Sequence, residues 1–434
     1  MSLSNRIQVF EYDWLVVNHD YTYIDSTGKT FTTQFKEGLY KRMALYATEN
    51  ASCPYYSVYL NKIRFRNYVG IIQVNGVTIE VLPKTDRHKV SKQDWQAVLF
   101  EMFKITMAVK AKITTEASIH LKQFTVLEGY LQLFLQETEK VLHAGLIKKY
   151  RKQTGNQTAL KGRLLVHKQV TQNMVHAERF FVSYTIFDQK NIYNAILVEA
   201  LQCIRSLTCS MNTTKWCEKL LLNFPECNKL KIAPSLFDHL VYDRKTSHYK
   251  TAIDLAKIIL LNYHPDVKGG NNNMLAIMFD MNRLWESYIY AMLRKAAKSN
   301  YPNIKVTPQR KQLFWQKTGS YNLSLKPDIL IYNKTNNKSL VLDTKWKFRK
   351  DTSMEDIRQM FAYGHYFKSA ERYLLYPDKL KDKKVVDKHA GSFYDLDKRN
   401  FSATELCGLL FIDLLKENGK LNKEVGSKIL EILN

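Results

Sequence analysis

The chain has 434 residues, 45% of them hydrophobic, and carries a formal charge of +24 from 65 Lys and Arg against 41 Asp and Glu. That length accommodates two or three domains, each with its own core, and the composition suits a globular protein whose basic excess favours a polyanionic partner. No run approaches the roughly 20 apolar residues of a membrane span, and Met1-Ser-Leu-Ser-Asn-Arg6 lacks a basic segment followed by an apolar signal core, so a cytoplasmic protein with no membrane partner is expected.

Residues 1–90 read as strand-rich, with Ile7 to Tyr12, Tyr56 to Leu60 and a hairpin from Ile71 to Val81 around Asn75-Gly76. One helix, Gln34 to Glu49, interrupts them. Ser26-Thr-Gly-Lys-Thr30 has the look of a phosphate-binding loop, but that motif requires glycine at position 23, where the chain has Tyr23, so a hairpin turn is expected. Residues 92–148 turn helical, 158–188 return to strand, and 191–262 are helical again. The loop Asp266-Val-Lys-Gly-Gly-Asn-Asn-Asn273 is the best linker, and it divides the chain into 1–270 and 271–434. The six cysteines form no C-x-x-C and have no histidine pair at zinc spacing, so they are expected to be reduced thiols.

Chemistry concentrates beyond residue 270. Phe279 to Tyr290 reads as an amphipathic helix whose Glu286 would bring a carboxylate to a metal. Lys326-Pro-Asp-Ile-Leu-Ile-Tyr332 and Ser339-Leu-Val-Leu-Asp-Thr-Lys-Trp346 are β-prone runs joined by the polar turn Asn333 to Lys338. Antiparallel pairing about that turn brings Asp328 level with Asp343. Alternation along the strand then points Asp343 and Lys345 to one face and Thr344 away from it. Two carboxylates and an ammonium are what metal-dependent phosphodiester hydrolysis requires: oxygens for a hard cation, and a positive charge beside the nucleophile. An isolated Asp-x-Lys is more often a surface ion pair, but the preceding Pro-Asp strand weighs against that here. Met354 to Phe367 reads as a helix with Gln359 and Tyr363 on one face. His365, Tyr332, Trp346 and Phe348 are read as packing residues. Residues 301–350 hold eleven Lys and Arg against only Asp328 and Asp343, which places the strongest positive field at the proposed site.

The order helix with Glu286, strand with Pro327-Asp328, strand with Asp343-Thr-Lys345, helix with Gln359 and Tyr363 resembles the PD-(D/E)xK nuclease superfamily. Further patches, Gly70 to Lys84, Leu160 to His167, Val175 to Val182 and Gln359 to Gly364, are similar to the McrC-like nuclease subunits of McrBC-type restriction systems. What that resemblance implies is an α+β and α/β multidomain chain. Its restriction-endonuclease-like domain over 271–434, a mixed sheet flanked by helices, follows a partner-docking region over 1–270. It also implies catalytic Asp328, Asp343, Lys345, Gln359 and Tyr363, with Mg²⁺, or Mn²⁺ in its place, held by Glu286, Asp328 and Asp343. DNA and a McrB-like AAA+ GTPase ring are the implied partners, GTP being bound by the ring and not by this chain. A stand-alone repair-type nuclease and an inactive basic adaptor are the alternatives.

Overall fold

The computed structural model describes the whole chain except residues 1–4, 25–28, 50–52, 75, 85–91, 112–125, 177, 208–210, 265–273, 317–321, 348–352, 370, 378–385, 396, 398, 417–418 and 434. It divides into two compact units, Leu127–Ile277 and the combination of Ser2–Val126 with Met278–Asn434. This grouping differs from the division expected at residue 270. The cause lies in contacts that tie the N-terminal strands to the C-terminal half. Met281 donates its backbone N–H to Asn67 O (3.0 Å), Asn67 Nδ2 donates to Asp280 Oδ1 (3.1 Å), and Trp346 Nε1 donates to Glu11 Oε1 (2.7 Å). The Gly/Asn linker at 266–273 and Phe348 fall outside the described residues, as do Cys209, Asn75 and most of the Ser26–Thr30 segment.

The Leu127–Ile277 unit is helical, built on Ile192–Leu207, Met211–Leu221 and Lys250–Asn262, with a three-stranded antiparallel sheet. Its strands are Lys149–Gln157, Phe180–Asp188 and Arg163–Leu164. The strand region expected at 158–188 therefore begins earlier and contains a helix, Val166–Asn173. Lys149–Gln157 has an almost wholly polar sequence, which carries no apolar alternation to betray a strand; its side chains nonetheless alternate between half-buried and exposed.

In the other unit, Arg6–Phe10 runs parallel to Val77–Leu82, which pairs antiparallel with Tyr68–Val74. The apolar residues Ile7, Val9, Ile71, Ile72, Ile79 and Val81 are all buried, which makes this a core sheet. Asp20–Ile24 and Thr30–Gln34 pair antiparallel, the turn expected at Ser26–Thr30 lying largely outside the described residues, and the following helix starts at Glu37 rather than Gln34 because Gln34 is still in the strand. Among the described cysteines, Cys53, Cys203, Cys217 and Cys407 are buried and Cys227 is half-buried, and none is in a disulfide.

The C-terminal residues form a six-stranded sheet in the order Ile304–Pro308, Ile329–Asn333, Lys338–Thr344, Glu371–Pro377, Asn400–Ile412, Val386–Asp395. Its first three strands are antiparallel, Lys338–Thr344, Glu371–Pro377 and Asn400–Ile412 are parallel, and the last strand is antiparallel again. Parallel neighbours need a crossover, and Met354–Tyr366 supplies it after Lys338–Thr344, capped by the Ser353 hydroxyl accepting from Asp356 N at 3.1 Å. Met360 and Tyr363 of that helix pack on Leu330, Val341, Leu374 and Tyr376 of the sheet.

The helix carrying Glu286 runs from Met281 to Asn300. It begins two residues later than expected, since Phe279 and Asp280 end a strand and Asp280 caps the helix by accepting from Asn282 N at 2.9 Å. Trp285, Tyr288, Ile289 and Met292 bury one face of it. Val425–Leu433 crosses that helix so closely that a Cβ at Gly426 would meet the backbone carbonyl of Met292. Backbone cannot swing aside as a side chain can. Gly426→Ala is therefore expected to destabilise the protein by about 1–3 kcal/mol through overpacking, read as a lower urea midpoint. An unchanged midpoint would mean that the crossing is looser than described.

Candidate active site

The Asn333–Lys338 turn is built by short polar side chains. Asn333 Oδ1 accepts from Thr335 N (2.9 Å), Asn336 Oδ1 accepts from Lys338 N (3.0 Å), and Asn337 adopts the left-handed backbone that asparagine tolerates, with φ 56°. That turn fixes the register of the two strands, Asn333 opposite Lys338 and Ile329 opposite Leu342. Asp328 and Asp343 are the residues next beyond that last pair, so both carboxylates stand at the same end of the hairpin. Asp328 is held on both sides of its Cα. Its Oδ2 accepts from Thr344 N and from Thr344 Oγ1, both at 2.8 Å, and its carbonyl accepts from Gln309 N at 2.9 Å. Thr344, expected to point away from the site, thus supports Asp328, while Asp328 Oδ1 lies outside that pair of bonds.

Asp343 is only 2% exposed. Burial first, and then the neighbouring Asp328 charge, push its carboxyl up to about 6, although Lys345 pulls the other way. Lys345 Nζ lies 2.7 Å from Asp343 Oδ2 and 3.3 Å from Asp356 Oδ1, and donates to Gln359 Oε1 at 2.9 Å. Burial lowers the affinity of this amine for its proton, but Asp343 and Asp356 outweigh burial and hold it above its ordinary value. The ammonium form is therefore fixed at neutral pH. Gln359 Nε2 in turn donates to Tyr363 OH (2.7 Å), which donates to Lys326 O (3.1 Å). Burial keeps the Tyr363 phenol raised and protonated, and Asp343 adds to that effect. The Gln359 and Tyr363 side chains thus form a braced line from the lysine to the backbone ahead of Pro327-Asp328.

Three residues of this arrangement were not singled out in the sequence: Thr344, Asp356 and Gln309. Asp356 sits in the first turn of its helix, where an acid reads as an ordinary response to the helix dipole. Its carboxylate instead lies between Lys345 and Lys347, 3.2 Å from Lys347 Nζ; burial raises it, but Ser353, Lys345 and Lys347 together leave it below the usual range. Gln309 donates through Nε2 to Glu286 Oε1 at 2.5 Å, and no local pattern announces that contact. Glu286 itself is half-buried. Burial and the Asp328 charge push it up to about 7, and Gln309 and Lys326 hold it lower than it would otherwise be. Of the residues read as packing, Trp346 is buried against Trp285 with ring centroids 5.5 Å apart, whereas Tyr332 is half-buried with its OH donating to Asn337 Oδ1 at 2.7 Å, and His365 is exposed beside Tyr366.

Among the described residues, no three His, Cys, Asp or Glu side chains converge as a closed metal cluster. The mutual repulsion that raises Asp343 and Glu286 beside Asp328 nevertheless describes a locus where a cation would relieve charge. A Mg²⁺-class ion suits it, because such an ion keeps several waters and needs only one or two carboxylates from a protein. Asp328 and Asp343 fit that requirement, with Glu286 beside them.

Residues 63–377 match the family profile described as McrBC 5-methylcytosine restriction system component. In fold the chain is similar to one in the refined half-complex from the tetradecameric assembly of Thermococcus gammatolerans McrB AAA+ hexamers with bound McrC. The two are 16% identical with a TM-score of 0.63, over 99% of this chain and 100% of that one. A chain in the cryo-EM structure of the Thermococcus gammatolerans McrBC complex is 17% identical, covering 67% of this chain and 88% of that one, with a TM-score of 0.45. No curated protein matches the sequence.

The raised Asp343 carboxyl has a consequence for stability. With a folded pKa of about 6 against an ordinary 3.8, the fold retains a proton that the unfolded chain releases, so stability falls as pH rises from about 4 to about 6 and stays reduced above. Asp343→Asn removes that cost and leaves Lys345 with Asp356 and Gln359. In chelator at pH 8 the variant should unfold at higher urea than the parent, by on the order of 1 kcal/mol or more, and the gap should close below pH 4. A variant less stable than the parent at pH 8 contradicts this account.

Proposed function

The chain belongs to the family of McrBC 5-methylcytosine restriction system components, and from that premise we propose that it is the DNA-cutting subunit, a metal-dependent endodeoxyribonuclease of the PD-(D/E)xK type. One observation carries the reading: a buried Asp343 and a charged Lys345, 2.7 Å apart, flank Thr344, whose N–H and hydroxyl hold Asp328 beside them. A structural ion pair would gain nothing from a second carboxylate set against the first. A phosphodiesterase site needs that second carboxylate.

In this reading Asp328 and Asp343 would hold a Mg²⁺ ion, or Mn²⁺ in its place, with the Glu286 carboxylate as the candidate for a further ligand. Bound there, the ion supplies Lewis-acid activation of the phosphate and of a water. Lys345 faces the attacking water and the phosphoryl oxygens as an ammonium, because its acidic neighbours keep it protonated. It therefore acts as a positive charge and not as the base, stabilising the anionic oxygens as the water oxygen bonds to phosphorus and the bond to one sugar oxygen breaks. Gln359 and Tyr363 keep that ammonium aimed. Energy coupling falls to a McrB-like AAA+ GTPase ring, which binds the GTP.

Purified chain, duplex DNA and Mg²⁺, with and without a GTP-hydrolysing ring of that type, test the assignment. Cutting is expected only with the ring; cutting without it makes the chain a stand-alone nuclease. Asp343→Ala and Lys345→Ala should each lower the rate by on the order of 10²-fold or more, with unaltered circular dichroism and unaltered stimulation of the ring's hydrolysis. Near-normal cutting by Asp343→Ala protein removes the catalytic assignment. Glu286→Gln should raise the Mg²⁺ concentration needed for half-maximal rate; a metal titration that overlays the parent's makes Glu286 a bystander.

A further inference from the structure

Between the first two strands of the C-terminal sheet the chain leaves it altogether. Gln312–Gln316 pairs antiparallel with Asn322–Leu325 as a separate two-stranded ribbon. A ribbon of this kind ordinarily hides its apolar side chains on one face. Here all five residues of the first strand are exposed, including Leu313 at 63%, Phe314 at 46% and Trp315 at 48%, and Leu323 opposite them is 48% exposed. A register shift between Leu313 and Trp315 makes Phe314 the extra residue of a β-bulge, which breaks the alternation and re-aims the aromatic side chains. Clustered exposed apolar residues of this size mark a contact surface.

The ribbon is rooted in the catalytic residues. Its first strand follows Gln309, whose N–H holds Asp328 and whose side chain holds Glu286. Its second strand ends at Leu325 and leads through Lys326, the acceptor for Tyr363, into Pro327-Asp328. Phe314 meets the ring of Tyr366 edge-on at 5.3 Å, on the helix that also carries Gln359. Arg310, Lys311 and Lys326 are exposed at the root, and the two site aspartates are the only acids in residues 301–350.

We infer that this ribbon is a DNA-grasping element that lies in a groove of the duplex beside the scissile phosphate. Phe314 and Trp315 make apolar contact with bases and sugars, and Arg310, Lys311 and Lys326 hold the flanking phosphates. A two-stranded β-ribbon fits the major groove, and apolar wedges at a base step are a recurrent device of groove binders. A second copy of this chain is the poorer occupant, since pairing two such ribbons would set like charges against each other. The inference rests on the reading of the Asp328–Asp343–Lys345 site as a DNA nuclease.

The test uses the full-length protein and a fluorescein-labelled duplex in chelator, with anisotropy read across a range of salt. Phe314→Ala/Trp315→Ala should weaken binding by about tenfold or more at every salt, with no change in the slope of log Kd against log salt, because stacking releases no counterions. Arg310→Ala/Lys311→Ala should instead flatten that slope by about one for each phosphate that is no longer neutralised. Photocrosslinking of the parent protein to an iodouracil duplex gives a reading that needs no variant to fold, and its crosslinks should map within residues 312–316 or 322–325. Unchanged affinity in the aromatic variant overturns the inference, as do crosslinks confined to other segments. So does a loss of dimer mass in sedimentation with DNA affinity intact, which makes the ribbon a contact between copies. Normal cutting by the aromatic variant sinks this inference and spares the nuclease reading, whereas ribbon-dependent binding without any cutting does the reverse.

Discussion

A carboxylate buried as deeply as Asp343 stays ionised only beside a cation, and the 2.7 Å approach of Lys345 meets that requirement. The rest of the site is arranged around this contact. Lys345 follows the end of a central strand, its backbone N–H still donating to Leu375 O at 2.8 Å, so its Cα is fixed by the parallel pairing and not by a loop. Asp356 and Gln359, one helical turn apart on the crossover helix, complete its surroundings. Even so, burial and Asp328 outweigh Lys345 and leave Asp343 at about 6, so the pair is not arranged for stability. Functional sites commonly tolerate such a cost because the surrounding fold supplies the difference.

The support reaches far along the chain. Trp346, next to Lys345, donates to Glu11, and that buried acid, pushed up to about 6 mainly by desolvation, also accepts from Lys84 N at 2.9 Å. Strand ends from the first ninety residues thus pack on Trp346, the residue that follows Lys345. Asn67 and Asp280 fasten the start of the Glu286 helix in the same way. The helical unit at Leu127–Ile277 is then an insertion within a continuous scaffold, and the chain passes from it to the scaffold inside the strand Met274–Asp280.

What could be read from the sequence follows from how local each signal is. The hairpin register, the shared face of Asp343 and Lys345, and the Gln359–Tyr363 pairing depend on two periodicities and one turn, all contained within about forty residues, and each appears as the pattern implied. Gln309 was invisible because its partners, Glu286 and the Asp328 carbonyl, are brought to it only by the fold. Asp356 was hidden by a second adequate explanation, the helix dipole. Lys149–Gln157 carried no apolar alternation, and the grouping of residues 2–126 with 278–434 has no local signature at all. The Gly/Asn-rich segment lies just ahead of the unit boundary at Ile277–Met278, but composition reports where a chain is punctuated, not that residues 2–126 group with those beyond it.

Gln309 shows how the site's two halves are joined. It is a non-glycine residue with φ 46°, a backbone state that costs roughly 1–3 kcal/mol and persists only where neighbouring contacts over-determine it. The left-handed turn ends the Ile304–Pro308 strand, throws the chain outward into the exposed ribbon, and at the same point directs the Gln309 N–H to the Asp328 carbonyl and its amide to Glu286. One strained residue therefore sets the separation between a strand carboxylate and a helix carboxylate that repel each other. The exit of the exposed ribbon and the carboxylate geometry thus meet at Gln309, while the Lys345 ammonium stands on the parallel part of the sheet.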